Sequence, residues 1–134
     1  MADIGAGGLG LPDRDYYLKP EPRFADAREK YRAHVQRMFE LASIPDAKGA
    51  AETAFAFEKR LAEASLDNVA LRDPNNIVHA TRFEQLQAMT PHFDWAVFYD
   101  EAKLPRGDLN VEEPAFLAQL DKELAQTPLP AWRT

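Results

Sequence analysis

Cysteine is absent from all 134 residues of this chain, which excludes disulfide bonds and thiolate metal sites. This absence leaves the compartment open, because many exported bacterial proteins also lack cysteine. The sequence has no run of about 18 apolar residues, the length that a membrane-spanning helix needs. Its start, Met1-Ala2-Asp3-Ile4, lacks the basic beginning and apolar centre of a signal peptide. We therefore expect neither a membrane segment nor a signal peptide in this chain.

Positive charge is scarce, with 16 Lys and Arg against 22 Asp and Glu, for a net charge of −6. A nucleic-acid partner is not expected, since no basic stripe is available to neutralise phosphates. The glycine-rich stretch from Gly5 to Gly10 lacks the lysine and following hydroxyl of a phosphate-binding loop. Ser43 and Ser65 have no neighbouring histidine that would serve as a base.

Histidine is also scarce, and this bears on metal chemistry. The three histidines, His34, His79 and His92, are too far apart to place two imidazoles one helical turn apart, and none is followed by glutamate. We therefore predict no catalytic residue, no metal ligand and no cofactor in this chain.

The residues that are present predict helices. Hydrophobic residues make up 46% of the chain, enough for one domain with a modest core. Apolar positions spaced by three and four predict a first long helix over about 22–43, whose Arg28, Lys30, Arg32 and Arg37 form a solvated face. Asp46 is expected to cap a second long helix. Shorter helices are expected after a Thr81–Glu84 capping box, after Asp94 and from Pro114, with a very short strand at 109–111. The predicted fold class is all-α, an antiparallel helical domain of two long and several short helices with little or no strand.

Glu58 is unusual, because it lies within the small and apolar stripe of the second long helix. Two interpretations are open. Either its side chain reaches past the edge of the stripe into water, or it is buried and paired with an arginine, as a buried carboxylate requires. Arg14 and Arg72 are the first partners to consider.

A second unusual stretch runs from Gly7 to Tyr17. Its glycines permit close backbone approaches, and Pro12 favours an extended Leu11. Asp13 and Asp15 favour a turn through side-chain bonds to nearby amides. The stretch therefore predicts an ordered bend that delivers a tyrosine pair to a packed surface, although a simple linker between two elements has the same composition.

Residues 8–17 of this stretch resemble a segment of the neprilysin family of zinc metalloendopeptidases. The matching run is Gly8-Leu9-Gly10-Leu11-Pro12-Asp13-Arg14-Asp15-Tyr16-Tyr17. The likeness continues in Glu58–Ser65, in Arg72-Asp73-Pro74-Asn75 and in Asp94-Trp95. The family's His-Glu-x-x-His motif is missing. Glu63-Ala64-Ser65-Leu66-Asp67 has the Glu-x-x-x-Asp spacing of the family's downstream ligand segment, but Ala64 stands where the family has asparagine, so we treat this match as chance. The resemblance covers nearly the whole chain but only an interior part of a much longer family sequence.

What the resemblance implies is a parent peptidase with zinc in a catalytic lobe and peptides as substrates. Because this chain lacks the two-histidine motif, it alone should neither bind zinc tightly nor cleave peptides; stoichiometric zinc that restored peptidase activity to a metal-depleted sample would contradict this prediction. This chain would be a second, helical lobe that encloses the active-site cavity, with the catalytic lobe as its partner. Residues 1–20 would enter from the catalytic lobe, 21–127 would form the helical lobe, and 128–134 would begin the return. The parent is expected to be exported, as a periplasmic, secreted or membrane-anchored protein. The candidate structural residues at the lobe junction are Gly10, Pro12, Asp13, Arg14, Asp15, Tyr16, Tyr17, Glu58, Arg72, Asp73 and Trp132.

A different class of protein also fits the composition, namely a free-standing acidic helical module that binds a partner through an apolar groove. The two interpretations differ in what they expect of the terminal segments. A lobe would expose apolar residues near both ends, around Leu9, Leu11, Leu129 and Trp132, so that the isolated piece self-associates or leaves these segments disordered.

Overall fold

A computed structural model describes residues 2–133, of which helices form the largest part. The helical content is 61% and the strand content 6%, which confirms the predicted mainly helical class. The helices are α1 Arg14–Leu18, α2 Pro22–Leu41, α3 Ala47–Ala64, α4 Pro74–Ile77, α5 Phe83–Met89, α6 Trp95–Glu101, α7 Pro114–Gln126 and α8 Leu129–Trp132. The strands are β1 Ala2–Ile4, β2 Ala80–Thr81 and β3 Leu109–Val111, and a 3-10 turn spans Ala70–Arg72. The chain divides into two compact units, a helical unit (8–67 and 127–133) and a mixed unit (2–7 and 68–126).

The helical unit is built on α2 and α3, which pack against each other with α1 alongside both. Pro22 lies in the first turn of α2, where its missing N–H costs no hydrogen bond. Asp46 caps α3 as predicted, because its side chain accepts from the Gly49 amide at 3.1 Å. The five-residue connection between these helices favours antiparallel neighbours.

Two arginines on the predicted solvated face of α2 instead make tertiary contacts. The Arg28 guanidinium donates to the carbonyls of Tyr16 (2.9 Å) and Lys19 (2.8 Å), where α1 ends. Arg32 pairs with Glu52 of α3 and lies over the Phe55 ring, 5.3 Å from its centroid. The prediction of a solvated face therefore missed the tertiary contacts of both side chains, although Arg32 is exposed. Carbonyls at a helix end attract cations, which explains the position of Arg28.

The mixed unit is organised around a three-stranded sheet of order β1-β3-β2, with β1 parallel and β2 antiparallel to β3. Its core consists of Leu86, Leu109, Val111 and Leu117. The strand predicted at 109–111 is confirmed. Strands of two and three residues at 80–81 and 2–4 were not predicted, although each of them pairs with β3.

Two local predictions for the mixed unit had different outcomes. Asp94 caps α6 as expected, accepting from the Val97 amide at 3.0 Å. The predicted Thr81–Glu84 capping box does not form; half of such a box is found one residue later, where the Arg82 amide donates to the Gln85 side chain at 2.9 Å. The Thr81 hydroxyl donates instead to the His79 carbonyl at 2.8 Å, which it reaches from its position in β2.

Candidate functional site

A carboxylate bound by two phenols lies at the centre of the helical unit. Glu58 of α3 accepts from the Tyr17 hydroxyl of α1 at 2.7 Å and from the Tyr31 hydroxyl of α2 at 2.8 Å. Tyr17 stacks on Phe55 with ring centroids 5.6 Å apart, one turn before Glu58 on α3. The three helices of this unit are thus joined through one side chain. We call Tyr17, Tyr31 and Glu58 the junction cluster.

The backbone of the preceding stretch is bound to the same cluster. The Leu11 amide donates to the Tyr17 hydroxyl at 3.0 Å, so this hydroxyl both accepts and donates. A β-carbon at Gly10 would lie 2.6 Å from Cζ of Tyr31, closer than real side-chain contacts allow. Glycine is therefore required at this point, because a side chain there would collide with the hydroxyl end of Tyr31.

Short polar contacts fold the chain between Pro12 and α1. Asp13 caps α1 by accepting from the Asp15 amide at 2.8 Å, and Asp15 pairs with Lys19 at 2.7 Å. The Arg14 guanidinium donates to the carbonyl of Ser65, just past the end of α3, at 2.6 Å. The stretch from Gly8 to Tyr17 is therefore an ordered bend held to α2 and α3, as its residues predicted.

The environment of the junction cluster raises the pKa of both phenols above their ordinary value of 10.0. Burial is the largest cause for each, and the Glu58 carboxyl adds to it as a hydrogen-bond partner and a charge. The Leu11 amide acts in the opposite direction on Tyr17. Ionising either phenol would place a second negative charge beside Glu58, so both hydroxyls remain donors at neutral pH.

These shifts predict a loss of stability at alkaline pH. A raised folded-state pKa contributes stability that is fully present below the unfolded value of 10.0 and is lost as pH rises through the folded value. We expect the urea midpoint to hold up to about pH 9 and to fall as the pH rises beyond about 10, and to fall less in a Tyr17→Phe/Tyr31→Phe variant. Tyr16→Phe is the matched control, since Tyr16 packs edge-on against Phe24, outside the cluster. An alkaline loss as large in the double variant as in the unchanged chain would contradict this account.

The structure brings together only some of the candidate junction residues. Gly10, Asp13, Arg14, Asp15, Tyr17 and Glu58 lie within one hydrogen-bonded region of the helical unit, together with the exposed Pro12 and with Tyr16. Trp132 belongs to the same unit, where it packs edge-on against Phe57 with centroids 4.8 Å apart. Arg72 and Asp73 lie in the mixed unit, where Asp73 caps α4 by accepting from the Asn75 amide at 2.9 Å. The junction role of all these residues stays a prediction.

Neither interpretation of Glu58 named its actual partners. Its side chain is half-buried, and the groups donating to it are phenols, while Arg14 donates to a backbone carbonyl. The sequence placed Tyr31 in the apolar stripe of the first long helix and gave it no polar role. Its hydroxyl was the available signal, because a tyrosine within an apolar stripe usually needs a hydrogen-bond partner.

The histidines do not form a metal site in the described part of the chain. The ring Nδ1 of His79 is 2.9 Å from the Val111 carbonyl, and that of His92 is 2.8 Å from the Asp121 carboxylate. Across residues 2–133, no group of three or more His, Cys, Asp or Glu side chains is placed to hold a metal ion. A search of the same residues for a helix long and apolar enough to cross a membrane finds none.

Comparisons with known proteins agree with this fold. Peptidase family M13 matches residues 1–134. The chain is 32% identical to Neprilysin-2 of Drosophila melanogaster over 137 residues, covering 96% of this chain and 17% of that protein. It is 27% identical to Endothelin-converting enzyme-like 1 of Rattus norvegicus over 120 residues, covering 88% and 15%. The zinc metalloprotease ZMP1 of Mycobacterium tuberculosis, solved in an open state, superimposes with a TM-score of 0.84 at 28% identity. The match covers 98% of this chain and 21% of that chain.

These matches define a class of protein, the zinc metallopeptidases, and within it a family. The chain belongs to peptidase family M13, and it corresponds to part of the family's N-terminal region. The resemblance inferred from residues 8–17 is thereby confirmed. The chain spans 15–17% of the length of these two curated relatives and 21% of the solved chain.

Proposed function

We propose that this chain is a helical lobe of a longer M13 zinc metalloendopeptidase, where it encloses the active-site cavity and limits access to oligopeptides. The observation that carries the proposal is the match of nearly the whole chain, at a TM-score of 0.84, to about a fifth of a solved zinc metalloprotease. Exclusion of large substrates is steric, so it requires a stable wall and no catalytic side chain in the wall itself. The residues described here do not fit a zinc site, and no zinc chemistry is assigned to them.

The junction cluster supports this role, because a wall must hold its position relative to the rest of the enzyme. Backbone and side-chain bonds at Leu11, Arg14 and Tyr17 hold the stretch from Gly8 to Tyr17 on the long helices. In the proposed parent, this stretch is the crossing from the catalytic lobe and Trp132 begins the return. Zinc, the catalytic lobe and the peptide substrates then belong to the rest of the parent, which we propose is exported.

A chimaera tests the proposal directly. The matching segment of the M. tuberculosis zinc metalloprotease is replaced by this chain, and a second host carries a flexible linker at the same place. We expect the chimaera to cleave short peptides and reject folded proteins, whereas the linker host also attacks folded or longer substrates. Bound zinc and the circular dichroism spectrum establish that both hosts are folded. Equal size selection by the two hosts would overturn the proposal.

A further inference from the structure

The net negative charge of this protein arises from one of its two units. The mixed unit has eleven acidic and five basic side chains, whereas the helical unit has eleven of each. The full net charge of −6 therefore belongs to the mixed unit and the helical unit is neutral. A net negative charge on the mixed unit attracts cations and raises their concentration near its surface.

An apolar cleft opens on this acidic unit, beside α7. Its volume is about 100 Å³. Its apolar walls are Phe93, Trp95, Leu117, Leu120 and Leu124. A dry apolar cavity of about 150 Å³ is large enough to hold a benzene molecule, so this smaller cleft suits one branched aliphatic side chain.

The polar groups in the cleft wall are already bound within the protein. Asp121 accepts from the His92 amide and lies 2.8 Å from its ring nitrogen Nδ1. The Thr90 hydroxyl donates to the Leu86 carbonyl at 3.0 Å and accepts from the Trp95 indole at 2.6 Å. The cleft therefore presents apolar surface to a ligand and has no unpaired polar group to attract water.

The surface next to the cleft combines apolar and acidic character. The Phe98 ring packs against Phe93 and Trp95, with ring centroids 5.9 and 5.8 Å apart, and Phe98 is 45% exposed. Val97 beside it is 56% exposed. The exposed carboxylate of Asp94 stands between two residues of the cleft wall. A ligand with an apolar group flanked by cations matches this surface in both shape and charge.

We propose that this cleft is an auxiliary binding site for cationic peptides, which insert one leucine-like side chain between α7 and the start of α6. The flanking lysine or arginine residues of the peptide face the acidic surface around Asp94. The inference deepens the proposed function, since it names a class of peptide that the parent would attract, and it relies on that function for peptides as ligands.

Trp95 makes the site directly observable. The chain has two tryptophans, so a Trp132→Phe background leaves Trp95 as the one emitting indole. Three acetylated pentapeptide amides are titrated at low salt: Lys-Lys-Leu-Lys-Lys, its serine counterpart Lys-Lys-Ser-Lys-Lys, and the acidic Glu-Glu-Leu-Glu-Glu. We expect a saturable change in Trp95 emission, with the first peptide binding about tenfold or more tightly than either of the others. Added salt should weaken the first peptide.

Two variants locate the binding, the first compared with a control variant and the second at two salt concentrations. Leu124→Phe should fill the cleft and weaken the leucine peptide about tenfold, whereas Leu129→Phe, at an exposed position in the helical unit, should leave it unchanged. Asp94→Asn keeps a good helix cap and removes the charge, so it should weaken the lysine peptides at low salt and have little effect at high salt. Equal binding of all three peptides, or an unchanged Trp95 emission, would overturn the inference.

The two proposals fail in different ways. A chimaera without size selection, combined with leucine-dependent binding at Trp95, would refute the wall and leave the cleft as a peptide site. Normal size selection without such binding would refute the cleft alone. If Leu124→Phe does not fold, the comparison of the three peptides on the unchanged cleft still decides the question.

Discussion

Replacing Leu86 with alanine is expected to lower the free energy of unfolding by about 2–5 kcal/mol, the range of large-to-small changes in packed cores. Leu86 is fully buried and packs with Leu109, Val111 and Leu117. Strand β3 lies in the middle of the sheet, hydrogen-bonded on both sides, so it has little freedom to move into the cavity. The measurement is urea unfolding followed by Trp95 emission in the Trp132→Phe background.

Leu104→Ala is the matched control, because the same chemical change is made at a side chain that is 48% exposed. We expect the control to change stability by less than about 0.5 kcal/mol. The helical unit offers the same comparison, with Leu61 buried and Leu41 exposed, read by Trp132 in a Trp95→Phe background. Equal losses in the buried and exposed variants would show that the assigned cores are wrong.

The long helices were predictable because local signals agree with the tertiary requirement. Helix α2 packs against α3, Pro22 begins α2, and Asp46 caps α3. At these positions the local signals for a helix agree with the packing of the two helices. The family could be recognised for a related reason, since the run from Gly8 to Tyr17 serves contacts that few other residue types would make.

Strands β1 and β2 were not predicted, because their two or three residues carry little local signal that separates a strand from a loop. Ala2–Ile4 is a strand only because β3 supplies its hydrogen-bond partners, more than 100 residues along the chain. The one-residue displacement of the α5 cap has a similar cause. Thr81 belongs to β2, whose pairing with β3 takes it away from the helix start.

The candidate site shows which part of a function can be derived from sequence. The residues of the bend were identified from their types, yet their partners depend on where α2 and α3 lie in space. Arg28 was assigned to solvent although it binds the end of α1. For Glu58 the sequence left water or an arginine open as partners, whereas the structure shows two phenols. A helical periodicity predicts which side of a helix is covered, but it does not say which polar group will cover it.

Replacing Glu58 with leucine is expected to destabilise the chain by about 2 kcal/mol, because the hydroxyls of the buried Tyr17 and the half-buried Tyr31 would both lose their acceptor. Glu52→Leu is the matched control on the same helix. Its partner Arg32 is half-exposed, so the control should cost less than about 1 kcal/mol.

The decisive comparison combines Glu58→Leu with Tyr17→Phe and Tyr31→Phe. Removing both donors together with their acceptor leaves an apolar contact without unsatisfied groups, which is far less costly than removing the acceptor alone. We therefore expect the triple variant to recover at least half of the stability lost in Glu58→Leu. The Leu11 amide loses the Tyr17 hydroxyl as its acceptor in this variant and donates to water instead.

In the chimaera, Glu58→Leu should weaken size selection more than Glu52→Leu does, because only the former releases the stretch from Gly8 to Tyr17. A triple variant no more stable than Glu58→Leu would show that the carboxylate acts through packing, and the junction cluster would lose its role as the anchor of this stretch.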